Sequence, residues 1–181
     1  MKQGDIYSLC FIFIYGIINI HKEWRILIKL KSLIVNLAIP LIVGGLSSIL
    51  IRDGIEYYNK NVNQPSFAPP SFLFPIVWTI LYLLLGISSY MIFESKSDLK
   101  EKSLIIYGIQ LFFNFVWPLI FFNTQMYLFA LIWLVALWIL TIWMISLFSK
   151  VKPIAAYLQI PYILWLTFAV ILNLNVYLLN K

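Results

Sequence analysis

Aromatic rings and amides, rather than acids, bases or nucleophiles, are the groups this sequence sets out at regular spacing. In the stretch from Pro65 to Gly86, PSFAPPSFLFPIVWTILYLLLG, residues Phe74, Trp78 and Tyr82 recur every fourth position. That spacing places them on one helical face, with Leu85 close by. Pro65, Pro69 and Pro70 fix φ and remove backbone donors, so they form a stiff, shaped lead-in to that helix. A rigid loop feeding an aromatic-faced helix suits a lidded pocket for a flat apolar ligand. Further on, Gln110, Asn114 and Trp117 fall at i, i+4 and i+7, again on one face. In the last apolar run, Tyr162, Leu166, Ala169 and Asn173 share a stripe, and Pro161, Trp165, Phe168 and Leu172 share a neighbouring one.

Several chemistries are disfavoured. No Asp or Glu follows Glu101, which argues against a proton relay or cation-coupled transport through ionisable groups at mid-membrane. The single Cys10 and single His21 give neither a disulfide framework nor zinc-ligand spacing. With no nucleophile–base pair, hydrolytic and acid–base mechanisms are disfavoured too. A bland reading stands beside the functional one. Intramembrane Asn and Gln commonly act as interhelical glue, worth about 0.6 kcal/mol on average. Tryptophans near span ends are commonly interfacial anchors. Trp24 and Trp133 fit that default or plain lipid-facing packing, whereas Trp78, Trp143 and Trp165 lie deeper. Trp138 is mid-span with no stated direction, and Pro161 implies a kink within the last helix.

The elements that must position these groups are membrane spans. The chain has 181 residues, 62% hydrophobic and 11% charged, a composition foreign to soluble globular domains. The spans expected are Leu33–Ile51, Phe72–Phe93, Leu104–Phe122, Met126–Phe148 and Ile154–Leu179. Gly44, Gly45, Ser47 and Ser48 in the first allow close approach by a neighbour. Arg52–Ser71 reads as a long polar loop whose prolines and aromatics favour a packed lid. The expected class is therefore all-α, an integral membrane five-helix transmembrane bundle over residues 33–181, preceded by a short extra segment, residues 1–32. Within that leader, Ile6–Ile20 is short for a span and lacks a signal-peptide cleavage site. His21–Lys31 suits a helix at an anionic membrane surface, the alternative being a mis-assigned translation start.

The net charge of +6 reflects topology rather than nucleic-acid binding, because the basic residues flank the spans. In a five-span arrangement, Lys2, Lys22, Arg25, Lys29, Lys31, Lys96, Lys100, Lys102, Lys150 and Lys152 lie on one side, leaving Arg52, Lys60 and Lys181 on the other. That asymmetry predicts a cytoplasmic N-terminus. A spanning Ile6–Ile20 would add a sixth span and move Lys2 across. Leu172, Tyr177 and Lys181 fit a loose sterol-contact pattern that is often matched by chance, and a terminal interfacial Tyr with a snorkelling Lys is the favoured account of them.

The motifs also carry a resemblance. Pro65-x-Phe67-x-Pro69-Pro70, then Phe74-x-x-Val77-Trp78-Thr79-x-Leu81-Tyr82 and Gly86, resemble the first loop and second helix of the TspO/MBR family, the tryptophan-rich sensory proteins. Gln110-Leu111-x-x-Asn114-x-x-Trp117 with Phe121-Phe122 is similar to the family's third helix. Val151-x-Pro153-x-Ala155-Ala156, Pro161-Tyr162-x-x-Trp165-x-x-Phe168-Ala169 and Leu172-Asn173 look like its fourth loop and fifth helix. The blocks occur in order over about residues 40–180, and residues 1–32 fall outside them.

The resemblance implies a five-helix bundle, often a homodimer, in a bacterial cell membrane. It implies a pocket under the Pro-rich loop that takes tetrapyrroles such as protoporphyrin IX and haem, and in some members sterols. The ligand-binding set is then Pro69, Pro70, Phe74, Trp78, Tyr82, Gln110, Asn114, Trp117, Trp165 and Phe168. No cofactor is required; the tetrapyrrole is the ligand. Trp78 and Trp165 correspond to tryptophans linked to light-dependent porphyrin breakdown in some members, which makes them catalytic only on that reading. Departures are Phe67 for a usual Trp, Gln64 for a Lys, Tyr57-Tyr58 for Trp-Tyr, and Trp133 near the place of an acid in the fourth helix. The lost Lys and acid remove partners for a propionate or an amine. Three functions follow: a porphyrin-binding sensory or transport protein, a photo-oxidative porphyrin-degrading enzyme, and a structural membrane protein without a small ligand.

Overall fold

The structure, a computed structural model, describes the backbone of residues 3–181 and the side chains of residues 27–181. Two compact units divide the chain, Met1–Val35 and Asn36–Lys181. Helix α1 runs Gln3–Leu50, α2 Arg52–Asn61, α3 Leu73–Phe93, α4 Lys100–Pro118, α5 Tyr127–Val151, α6 Pro153–Tyr157 and α7 Ile160–Leu179, with no strand among the described residues. Five stretches are long and apolar enough to cross a membrane: Leu27–Leu50, Leu73–Phe93, Lys100–Asn123, Tyr127–Val151 and Pro153–Leu179. The protein is an all-helical integral membrane bundle. The expectations for Ile6–Ile20, Trp24 and most of His21–Lys31 rest on side chains outside the described residues.

Within the second unit, α4 packs along α5 and α5 along α7, while the α3 backbone comes closest to α4 and α6 and meets α7 through side chains. The first span joins through small residues. An added Cβ on Gly86 would lie 2.8 Å from Leu37 Cα and 2.9 Å from the Asn36 carbonyl oxygen, so α3 and α1 meet nearly backbone to backbone there. Ser89 donates to Asn36 Oδ1 at 3.0 Å beside that contact. Gly44 lies beneath the Tyr82 ring, whereas Gly45 faces open space.

The stretch Arg52–Ser71 is not loop throughout: its first half is helix α2. Glu56 and Lys60 pair at 2.6 Å in i, i+4 register on its exposed face. Its other face buries Tyr58 edge-on to Phe122 (5.3 Å) and tilted against Phe121 (5.4 Å). Burial, with Tyr127 nearby, pushes the Tyr58 phenol up to about 12. Gly54 lets α2 sit on the Phe122 carbonyl. That carbonyl belongs to a π-helical turn, Leu119–Asn123, which follows Pro118 and closes with Thr124 N–H donating to the Leu119 oxygen. The turn after it contains Gln125 at φ 56°, a left-handed residue.

One expectation changes. Pro161 does not kink a helix interior. The chain breaks between α6 and α7, and Pro161 stands in the first turn of α7, where its missing N–H costs nothing. Trp133 is half-buried: it stacks on Phe113 at 4.3 Å and its indole N–H donates to the Phe113 carbonyl at 2.9 Å. The direction of Trp138 is settled by its 2.9 Å bond to Thr167 Oγ1. Trp143 is 46% exposed on α5.

Candidate functional site

Because α3 and α7 do not close on each other along their backbones, a cleft of about 360 Å³ remains between them. Its walls are Val77, Ile80 and Leu81 from α3 and Pro161, Leu164, Trp165 and Phe168 from α7. No charged group lines it. At its rim Phe74 meets Trp165 edge-on (5.9 Å, 71°), and Trp165 tilts against Phe168 (5.5 Å, 39°). Phe67, on the Pro-rich loop, lies edge-on to Phe168 at 6.3 Å and so covers one end of this aromatic row. Local turns shape that loop: Ala68 N–H donates to the Pro65 carbonyl and Leu73 N–H to that of Pro70, each at 2.9 Å. Pro65 is buried, Pro69 half-buried and Pro70 exposed, and neither Pro69 nor Pro70 reaches the cleft wall.

The amides lie elsewhere. Gln110 and Asn114 are buried, and both donate to the Tyr162 hydroxyl, Asn114 Nδ2 at 2.6 Å. Tyr82 OH donates to Asn114 Oδ1 at 2.7 Å. Thr141 of α5 lies against the same Tyr162 hydroxyl. The Tyr162 phenol thus ties α7 to α4, and Asn114 carries the tie on to Tyr82 of α3, each bond made by a group removed from water. Trp78 rests on this lock, tilted on Tyr82 (5.5 Å) and edge-on to Tyr162 (6.3 Å). A second tie lies nearer the α6–α7 break, where buried Gln159 donates to Ser88 Oγ at 2.6 Å and to the Leu84 carbonyl at 3.2 Å.

Trp117 belongs to a third group. Its indole N–H donates to Asn173 Oδ1 at 3.3 Å, Asn173 donates to the Tyr127 carbonyl at 2.9 Å, and its ring packs on Phe121 at 5.4 Å. The single hollow expected for rings and amides therefore divides into three places. Phe74, Trp165 and Phe168 surround the cleft; Trp78, Tyr82, Gln110 and Asn114 form the lock behind it; Trp117 sits in the aromatic cluster under α2. Tyr162 is the functional residue that sequence reasoning under-weighted. Its stripe was visible, but nothing in one helix says that a phenol will meet two amides from another.

The sequence profile of the TspO/MBR family matches residues 36–178. This chain belongs to the TspO/MBR family. It is 33% identical over 153 residues to the tryptophan-rich protein TspO of Archaeoglobus fulgidus, covering 84% of this chain and 99% of that one. It is 32% identical to the human translocator protein over 67% of this chain and 73% of that one. To the tryptophan-rich sensory protein of Cereibacter sphaeroides it is 30% identical, over 69% and 77%. The three places of the site all fall within the matched segment. Residues 1–35 and the last three residues of the chain fall outside it.

Proposed function

We propose that this family member binds a tetrapyrrole in the α3–α7 cleft and acts as a sensory or transport protein, in a bacterial cell membrane with its N-terminus cytoplasmic. The observation that carries the reading is the row of rings Phe74, Trp165, Phe168 and Phe67 along an uncharged cleft. Such rings stack on a flat macrocycle for about 0.5–1.5 kcal/mol each beyond area burial. The cleft is at the small end of ligand sites, which run to about 300–1,000 Å³. A macrocycle therefore enters by an apolar edge and displaces Phe67. With Cys10 and His21 the only thiol and imidazole of the chain, the lining offers no strong axial ligand to haem iron.

The test is a titration of the detergent-solubilised protein with protoporphyrin IX and with haem, followed by tryptophan fluorescence. Saturable binding is expected, metal-free porphyrin at least as tight as haem. Trp165→Ala should weaken it about tenfold, while Trp143→Phe, on the far face of α5, should leave it unchanged. A clear preference for haem, or equal affinity in Trp165→Ala, would refute the assignment. No saturable binding would favour a structural protein without a small ligand.

A second reading, light-driven oxidative breakdown of the bound porphyrin, is favoured by the half-buried Trp165 indole in the cleft wall. On this reading illumination yields a new absorbing product that disappears in Trp165→Phe and Trp78→Phe. Bleaching at one rate with and without protein would exclude it.

A further inference from the structure

The Pro-rich loop is held to the end of α7 by a side chain that mimics a strand. Asn63 N–H donates to Asn180 Oδ1 at 3.0 Å, and Asn180 Nδ2 donates back to the Asn63 carbonyl at 2.9 Å. The same Nδ2 also reaches the Val176 carbonyl of its own helix at 2.8 Å, which fixes the side-chain direction. Asn63 takes part through its backbone alone. Further along the loop Phe67 meets Phe168 of the same helix, and Ser71 donates to Asn59 Oδ1 at 3.3 Å. The helix that supplies the latch also supplies Trp165 and Phe168 of the cleft wall, so lid and wall share one rigid element.

We propose that Asn180 is a positioning residue: its amide latches the start of the loop to the end of α7, which keeps Phe67 against Phe168 of the cleft wall and so sets how long a bound ligand stays. The retention role rests on the tetrapyrrole reading above; the latch does not. Asn180 lies two residues beyond the segment that the family profile matches. Both latch bonds are exposed and exchange readily with water, so the closed loop opens without disturbing the buried lock beneath it. A ligand that displaces Phe67 moves a segment whose start this pair holds. A latch of this kind changes dissociation more than association, because the ligand meets the loop already open part of the time but leaves only when it opens.

The experiment uses the full chain in detergent with two readouts. Backbone hydrogen–deuterium exchange of the loop reports the latch without any ligand. Stopped-flow release of protoporphyrin IX reports retention. Asn180→Ala should speed exchange at the Asn63 amide about tenfold, the scale of hydrogen bonds that compete with water. It should speed porphyrin release by a similar factor while leaving the association rate within about twofold. Asn63→Ala should match wild type in both, since the latch uses only that residue's backbone. Unchanged exchange in Asn180→Ala would overturn the latch. Faster exchange with unchanged release would overturn the retention role. Wild type that shows no saturable porphyrin binding would overturn the cleft reading and retention together, with exchange at Asn63 still deciding the latch.

Discussion

Tyr162→Phe is expected to lower the unfolding free energy in detergent by about 2 kcal/mol, against about 0.6 kcal/mol for an ordinary interhelical hydrogen bond. The excess arises because one hydroxyl serves two buried amides. Removing it leaves the donors of Gln110 and Asn114 without their acceptor, in surroundings closed to water. Phe keeps the ring beneath Trp78, so the loss belongs to the hydroxyl rather than to packing. Tyr157→Phe, at a position 67% exposed, is the matched control and should stay within about 0.5 kcal/mol. Denaturant titration followed by tryptophan fluorescence measures both. A Tyr162→Phe protein as stable as the control would show that the amides find other partners, and the lock would lose its meaning.

A single methyl group on α3 should matter as much. The Cβ of Gly86→Ala would lie within 3 Å of the backbone of Asn36 and Leu37, and backbone cannot swing aside as a side-chain tip can. Overpacking of this kind costs about 1–3 kcal/mol. It would also spread the Ser89–Asn36 hydrogen bond one residue-turn away. Gly45→Ala and Gly108→Ala add the same methyl where nothing lies within 4 Å, and each should be neutral or slightly stabilising, because Ala is the better helix former. The comparison isolates steric fit from propensity: all three changes gain helix propensity, and only one meets a neighbour. Equal stability of the three variants would mean that α1 does not approach α3 at Gly86.

The two effects locate what holds the cleft open. The lock fixes α7 to α4 and α3 through Tyr162, and Gly86 fixes α3 against the first span. Between those two constraints α3 and α7 are kept apart at the level of Val77, Leu81 and Trp165, with side chains of modest reach on one wall and rings on the other. A ligand site in a bundle needs such a spacer; without it two apolar helices would close and fill the gap. The polar groups behind the cleft thus act as struts, and the rings in front are the surface that the proposed ligand would meet.

Much of this was legible in the residues alone. Hydropathy and length fixed a membrane protein of five spans, because a bilayer admits only helices or closed barrels and the apolar runs have helical length. Helical periodicity placed Gln110, Asn114 and Trp117 on one face, and all three are indeed buried. It could not say that Gln110 and Asn114 turn to Tyr162 while Trp117 turns to Asn173. A period specifies which residues of one helix look the same way, and never which neighbour they meet; that follows from helix rotation and crossing, set by contacts such as Gly86 on Leu37. The same gap explains helix α2, whose buried face exists only because Phe121 and Phe122 lie beneath it. It explains Pro161, which reads as a kink until the break after α6 makes it a helix start. The chain's residues determined the class of molecule and its stock of rings and amides. The packing of distant segments decided which rings face an opening and which amides close on a phenol, because hydrogen bonding and steric fit between helices are satisfied only once all five are in place.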